Sequence, residues 1–259
     1  MQLTSRAYLV GSGRLGLTLT DPYDCNVFLI DGGTEVALVD AGAGYRPAAL
    51  LASIQQRELP TAKPTKLLLT HKHADHAGGA AAVHDATGAE LHASRVTADT
   101  IRNGERVDAG LDRARATGSY PSDYVFHGAG VDVTVAEGDE IEVGDLVIEV
   151  IETPGHCAGH CSFAYREDGR SVLITGDAVL PLGQVVLQPI DDCSVTESVA
   201  SIEKLASRSW DVMLPGHLAP VLDQADWHLR TAIARLRQGR LPSALYIPDA
   251  PREADQCQS

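Results

Sequence analysis

The sequence predicts an α/β fold of two β-sheets covered on their outer faces by helices, with an open parallel α/β sheet as the rival arrangement. Three observations carry this reading. The first forty residues break into short β-prone runs separated by glycine and aspartate turns. A proline-opened helix follows, and after it a second block of strands. Helical stretches with one apolar face are spaced between and after the strands. At 259 residues the chain is long enough for one sizeable core.

In order along the chain, Arg6–Val10, Leu15–Thr20, Asn26–Ile30 and Val36–Val39 read as strands, with Asp31-Gly32-Gly33 as a turn. Pro47 opens a helix over Ala48–Glu58 that places Leu50, Leu51 and Ile54 on one face. Leu67–Thr70 is a buried strand, and the alanine-rich Gly78–Ala86 is a helix thin enough to pack closely on a sheet. From about Ser94 to Gly130 the chain turns polar and charged. It carries weak helices at Val96–Arg102 and Leu111–Ala116, then Tyr120, Tyr124 and Phe126. This stretch reads as a helical insertion over the functional end, too short and polar to bury a core of its own. Strands resume at Val131–Val135, Leu146–Ile151, Cys161–Tyr165 and Val172–Thr175. A helix at Val195–Ala206, a strand at Val212–Leu214 and a helix at Trp227–Arg237 complete the pattern. The polar tail after Pro248 reads as loose. Residues 1–259 are expected to form a single domain, without repeats or low-complexity tracts.

Composition narrows the partners. Apolar content of 44% and charged content of 22% are ordinary for a soluble globular protein. A formal net charge of −14 repels phosphate backbones, so nucleic acid is disfavoured, whereas bound cations would offset part of that charge locally. No apolar run approaches the roughly 18 residues of a membrane span, and the first residues do not resemble a signal peptide. The five cysteines, Cys25, Cys157, Cys161, Cys193 and Cys257, are odd in number and scattered, which favours a reducing compartment over a disulfide framework. The expectation is a cytoplasmic protein acting on a small carbonyl compound, with no membrane or nucleic-acid partner; a homodimer is compatible with it.

The chemistry is concentrated at strand ends. Lys66-Leu67-Leu68-Leu69 runs into Thr70-His71-Lys72-His73-Ala74-Asp75-His76, so one tight turn presents three histidines and an aspartate. Imidazole and carboxylate donors suit zinc and its first-row neighbours. Three further β-runs end in a glycine and then a metal-type side chain. Leu146–Ile151 leads to Thr153-Pro154-Gly155-His156, Val172–Thr175 to Gly176-Asp177, and Val212–Leu214 to Pro215-Gly216-His217. These events place seven donors along one sheet edge if the strands point the same way, and they use half of the ten histidines. Seven donors exceed the four of a tetrahedral site and suit two metals sharing one carboxylate.

His-x-His-x-Asp-His, Thr-Pro-Gly-His, Gly-Asp and Gly-His, in that order from about Asn26 to His217, resemble the metallo-β-lactamase superfamily. The resemblance implies a four-layer αββα sandwich with the site at the sheet edge. It implies that His71, His73 and His156 bind one metal, that Asp75, His76 and His217 bind a second, and that Asp177 bridges them. Asp40, in Leu38-Val39-Asp40-Ala41-Gly42, matches the family's early aspartate, which supports the metal loop. The aspartate at 177 is similar to that of glyoxalase II-like thioesterases and lactonases, and most β-lactamases lack it. The chain departs from glyoxalase II in having no recognisable basic C-terminal segment of the kind that binds glutathione.

The implied activity is binuclear metal-dependent hydrolysis of a small thioester, ester or lactone. Two divalent ions are expected, zinc first, with iron or manganese as alternatives. Metal binding lowers the pKa of water from 15.7 to about 7. A hydroxide held between the metals is then expected to attack the carbonyl carbon, with Asp75 orienting it as well as ligating. The alternatives are a β-lactam hydrolase and an oxidoreductase resembling persulfide dioxygenases, with one iron in the His71, His73 and Asp177 set.

Other motifs have plainer readings. Gly11-Ser12-Gly13-Arg14-Leu15-Gly16 matches a dinucleotide-binding fingerprint, but no helix follows it, and a hairpin turn accounts for it better. His160 is expected to support the site rather than ligate, and Cys157 to be a small packed side chain. His84, His92, His127 and His228 are expected in surface or core roles. Tyr120, Tyr124 and Phe126 either line the substrate pocket or pack within the insertion.

Overall fold

The apolar runs sort into two facing sheets. A computed structural model describes residues 1–57, 63–102, 104, 108–116, 118–188 and 190–245. Among the described residues one sheet has the order β1 (Ala7–Gly11), β2 (Val27–Asp31), β3 (Val36–Val39), β4 (Lys66–Leu68), β5 (Glu90–Ser94), β6 (Val133–Val135). It is antiparallel from β1 to β3 and parallel from β3 to β6. The second sheet has the order β11 (Val212–Pro215), β10 (Arg170–Gly176), β9 (Cys161–Glu167), β8 (Leu146–Glu152), β7 (Glu140–Val143).

Alternation along each strand builds three apolar layers. Phe28, Ile30, Val39 and Leu68 point from the first sheet towards Ile148, Val150, Phe163, Val172 and Ile174 of the second. On its outer face the first sheet packs Leu29, Leu38, Leu67 and Leu91 with Leu50 and Ile54 of α1 (Pro47–Gln55) and with Val83. The outer face of the second sheet packs Ile151, Leu173 and Met213 with Ile202 and Leu205 of α6 (Val195–Ala206) and Leu229 of α7 (Ala225–Arg237). The result is the expected four-layer αββα sandwich, and the open parallel sheet is excluded. Because both faces of the central strands are covered, they read as nearly continuous apolar runs.

Local differences from the expectation have physical causes. Leu15–Thr20 alternates but forms no strand. Its Leu19 and Thr20 N–H groups return to the Ser12 carbonyl, and Leu17 and Leu19 stay exposed. The helix expected at Gly78–Ala86 is present as α3 (Ala80–Thr87), and a short helix that was not expected, α2 (Ala74–Ala77), precedes it across Gly78-Gly79. A Cβ on Gly79 would collide with the Ala41 carbonyl, so this junction needs a bare backbone. The insertion contains α4 (Arg95–Ile101) and α5 (Asp108–Ala116), and Ile101, Leu111, Tyr124 and Phe126 join the outer core of the first sheet. The tail after Pro248 lies outside the described residues, as does the end of the first predicted helix at Glu58.

Candidate metal centre

Four strand ends deliver the donors, and they come from both sheets. Strands β10 and β11 are parallel, and β9 is antiparallel to both β8 and β10, so β8, β10 and β11 share one direction. Their C-terminal ends carry His156, Asp177 and His217 to one edge. Strand β4 supplies the His71 turn from the facing sheet, which corrects the expectation of a single sheet edge. Helix α2 starts directly after His73 and turns Asp75 and His76 back towards the cluster.

All seven candidate donors lie in this cluster. His73 Nδ1 is 3.0 Å from His71 Nε2 and 2.8 Å from His156 Nε2, so three imidazole nitrogens converge. Asp177 lies between this trio and a second group. Its Oδ2 is 3.6 Å from His156 Nε2 and 3.3 Å from His217 Nε2, and its Oδ1 is 3.5 Å from His76 Nε2. Asp75 Oδ2 completes the second group, 3.2 Å from His217 Nε2 and 3.7 Å from His76 Nε2. Gly216 is required beside them, because a Cβ there would meet Asp177 Oδ1 and His76 Cε1.

Outer hydrogen bonds decide which nitrogens face inwards. His156 Nδ1 donates to the Val186 carbonyl at 2.8 Å, which leaves Nε2 as a lone pair. His76 Nδ1 lies 2.7 Å from Asp40 Oδ2 and donates to it. The Thr70 hydroxyl donates to Asp40 and lies 3.0 Å from His71 Nδ1, from which it accepts. Asp40 therefore orients His76 directly and His71 through Thr70. It does so from a left-handed backbone conformation, φ 62°, that is unusual for a non-glycine residue. His76 Nε2 and Asp177 Oδ1 are buried with no hydrogen-bond partner.

The electrostatics divide the cluster into two halves. Burial and the adjacent His156 push His73 down to about 3. Burial also lowers His71 and His156, so the trio consists of neutral rings with their lone pairs available. In the other half burial opposes protonation, but Asp177 and Asp75 outweigh it and raise His217 to about 9. Burial likewise opposes ionisation of Asp177, yet His217 and His76 hold it well below the usual carboxylate range. Converging lone pairs, an orphaned buried nitrogen and an orphaned carboxylate oxygen fit divalent cations, which would satisfy all of them together.

His160 has both nitrogens occupied. Nε2 accepts the Asp177 N–H at 3.0 Å, and Nδ1 lies 2.8 Å from Thr153 Oγ1, so this ring supports the backbone of Asp177. Cys157 is fully buried beside His71 and His73, and burial raises its thiol. His84 pairs loosely with Asp85 and Asp132, and His92 with Glu90 at 2.8 Å. His127 is exposed, and His228 accepts the Leu182 N–H. Tyr124 donates to the Ala43 carbonyl and belongs with Phe126 to the core. Tyr120 differs: burial and the neighbouring Asp75 carboxylate keep its phenol protonated well above the usual range. The roles of Thr70 and the Val186 carbonyl have no sequence signature. The same holds for the Lys72–Asp192 ion pair of 2.6 Å, whose Asp192 also accepts the Ala158 N–H. A surface groove of about 670 Å³, lined by Glu149, Arg166 and Arg208 among others, lies at the opposite ends of the same strands.

A sequence model of the metallo-beta-lactamase superfamily matches residues 20–217. A hydroxyacylglutathione hydrolase of Methylobacterium nodulans is 32% identical over 178 residues, 69% of this chain and 52% of that protein. An acyl-coenzyme A thioesterase of Bos taurus is 26% identical over 208 residues, 74% of this chain and 72% of that protein. The chain spans about half the length of the hydroxyacylglutathione hydrolases it matches. The crystal structure of a subclass B3 metallo-beta-lactamase of Bradyrhizobium japonicum superposes with a TM-score of 0.69 at 23% identity. It covers 92% of this chain and 91% of that one, and at this identity the likeness concerns the fold alone. Among the described residues no helix is long and apolar enough to cross a membrane.

Proposed function

The chain belongs to the metallo-beta-lactamase superfamily, and from that premise we propose that it is a metal-dependent hydrolase that holds two divalent cations and cleaves a small thioester, ester or lactone. The observation that carries this reading is the position of Asp177, whose two oxygens face His76, His156 and His217 at 3.3–3.6 Å. In this reading His71, His73 and His156 hold one cation, Asp75, His76 and His217 the other, and Asp177 both. Two relatives whose names describe thioester cleavage support the substrate class.

Bound divalent cations supply Lewis acidity towards a carbonyl oxygen and make water acidic enough to serve as a nucleophile at neutral pH. The residues of the chain then have separate tasks. Asp177, 3% exposed, keeps the two halves in register. The Asp75 side chain is 22% exposed, so it faces an incoming substrate and accepts a hydrogen bond from the attacking water, which orients it. Tyr120, protonated beside it, steadies that carboxylate through its hydroxyl. Asp40 and Thr70 keep the rings of His71 and His76 in the ligating tautomer.

The test is reconstitution with zinc, iron or manganese, elemental analysis, and a hydrolysis panel of thioesters, homoserine lactones and β-lactams. Two metals per chain with thioester or lactone turnover is the expected result. One iron with oxygen consumption, or turnover of β-lactams alone, would overturn it.

A further inference from the structure

The loop after β1 and the segment after α5 both reach the donor cluster. Leu218, next to His217, donates its N–H to the Leu15 carbonyl at 2.7 Å, which ties the Arg14–Leu15 backbone to a donor-bearing loop. Tyr120, which borders Asp75, stacks on Tyr23 with ring centroids 5.7 Å apart and planes 26° apart. The Arg14 guanidinium lies over the Tyr23 ring at 5.2 Å and donates to the Ser119 carbonyl at 3.3 Å. Asp75, Tyr120, Tyr23 and Arg14 therefore form a continuous file from the cluster to the surface.

Arg14 at the outer end of this file has an unusual charge environment. Acidic residues outnumber basic ones 35 to 21, yet among the described residues no carboxylate lies within ion-pair distance of Arg14. The neighbouring Arg46, over Tyr45, has Asp21 at 3.6 Å. A guanidinium held flat by stacking and by one carbonyl still has donors free for a planar anion, and little of its mobility remains to be lost. The edges of the two tyrosine rings, whose faces are taken up by Arg14, by each other and by Tyr124, offer an apolar path for the intervening part of a ligand.

We infer that Arg14 receives an anionic group, carboxylate or phosphate, on the substrate arm remote from the scissile carbonyl, so that the substrate is an acidic thioester or ester rather than a neutral lactone. The inference rests on the hydrolase reading above and narrows its substrate class. Arg14 acts here in binding and touches none of the reacting atoms.

The experiment compares matched pairs that differ only in charge. Zinc-reconstituted protein is assayed with S-benzoyl-3-mercaptopropanoate and its primary amide, and with longer ω-mercapto acids and their amides. Binding of the matching S-benzyl thioethers, which cannot be hydrolysed, is measured by calorimetry. The expected result is a lower KM and tighter binding for the acid. Arg14→Gln should cut the acid-to-amide preference by roughly 5- to 10-fold, through KM, and Arg14→Lys should restore part of it. The preference should also weaken with salt. An acid-to-amide ratio unchanged in Arg14→Gln would overturn the inference, because it would trace any preference to direct binding of the carboxylate by metal. Arg14-dependent binding of the acid thioether without turnover of any thioester would sustain the anion site at Arg14 and sink the hydrolase reading, and the thioester assignment with it.

Discussion

Asp40 Oδ2 stands 2.7 Å from Nδ1 of His76, and this contact determines which nitrogen of His76 faces Asp177. The same carboxylate accepts the Thr70 N–H and hydroxyl, and through that hydroxyl it also orients His71. One buried aspartate thus organises a ring in each half of the cluster. Asp40→Asn is the informative variant, because asparagine tolerates the left-handed backbone at this position. Metal affinity should fall about 10- to 100-fold while the circular dichroism spectrum stays native. Chelator competition checks it, and unaltered affinity would show that the hydrogen bond does not position the ring.

Gly216 leaves no room for a side chain between Asp177 and His76. Gly216→Ala should force the two apart, lowering metal content to one ion or none, with a stability cost of about 1–3 kcal/mol. Elemental analysis beside thermal melting reads both effects. Full metal content would mean that the cluster is more pliable than its packing implies.

The two halves should respond differently to pH. His73 at about 3 is neutral throughout the physiological range, whereas His217 at about 9 carries a proton at pH 7 in metal-free protein. A cation entering the Asp75, His76 and His217 half must displace that proton and the one on His76, which burial opposes but Cys25, Asp40, Asp75 and Asp177 hold well above the ordinary range, and one entering the His71, His73 and His156 half need not. Calorimetry in buffers of different ionisation enthalpy should therefore show proton release with one cation only. Affinity for that cation should rise with pH and level off above about 9. Proton release shared equally by both binding events would contradict the assignment.

The raised value also predicts a stability trend for metal-free protein. A histidine lifted from 6.5 to about 9 contributes in full below about 6.5, and its contribution is lost as pH rises through about 9. Melting temperature should fall over that interval, and His217→Gln should remove the His217 part of the fall. An identical pH trend in the variant would place its origin elsewhere.

Phe163 is fully buried between the sheets, against apolar side chains from both. Phe163→Ala should cost about 3–5 kcal/mol, measured by denaturant unfolding. A cost under about 1 kcal/mol would imply that the two sheets do not pack through this layer.

The donors were legible because each follows an apolar run and, in three cases, a glycine, so chemistry and turn geometry coincide in a few adjacent residues. The orienting groups were less so. Thr70 is an ordinary strand-end threonine, and the Val186 carbonyl is backbone that any residue would supply. Patterning failed where burial and alternation part company. Leu17 and Leu19 alternate yet face solvent, whereas β5 contains His92 and Ala93, and the charged alternation of β7 hid an edge strand. That β4 and β10 lie in different sheets depends on long-range pairing, which no local pattern encodes.

The central claim is that two cations share Asp177, and anomalous diffraction from crystals of zinc-reconstituted protein tests it most directly. Two peaks are predicted, one among His71, His73 and His156 and one among Asp75, His76 and His217, with Asp177 between them. A single peak, or peaks away from Asp177, would contradict the account.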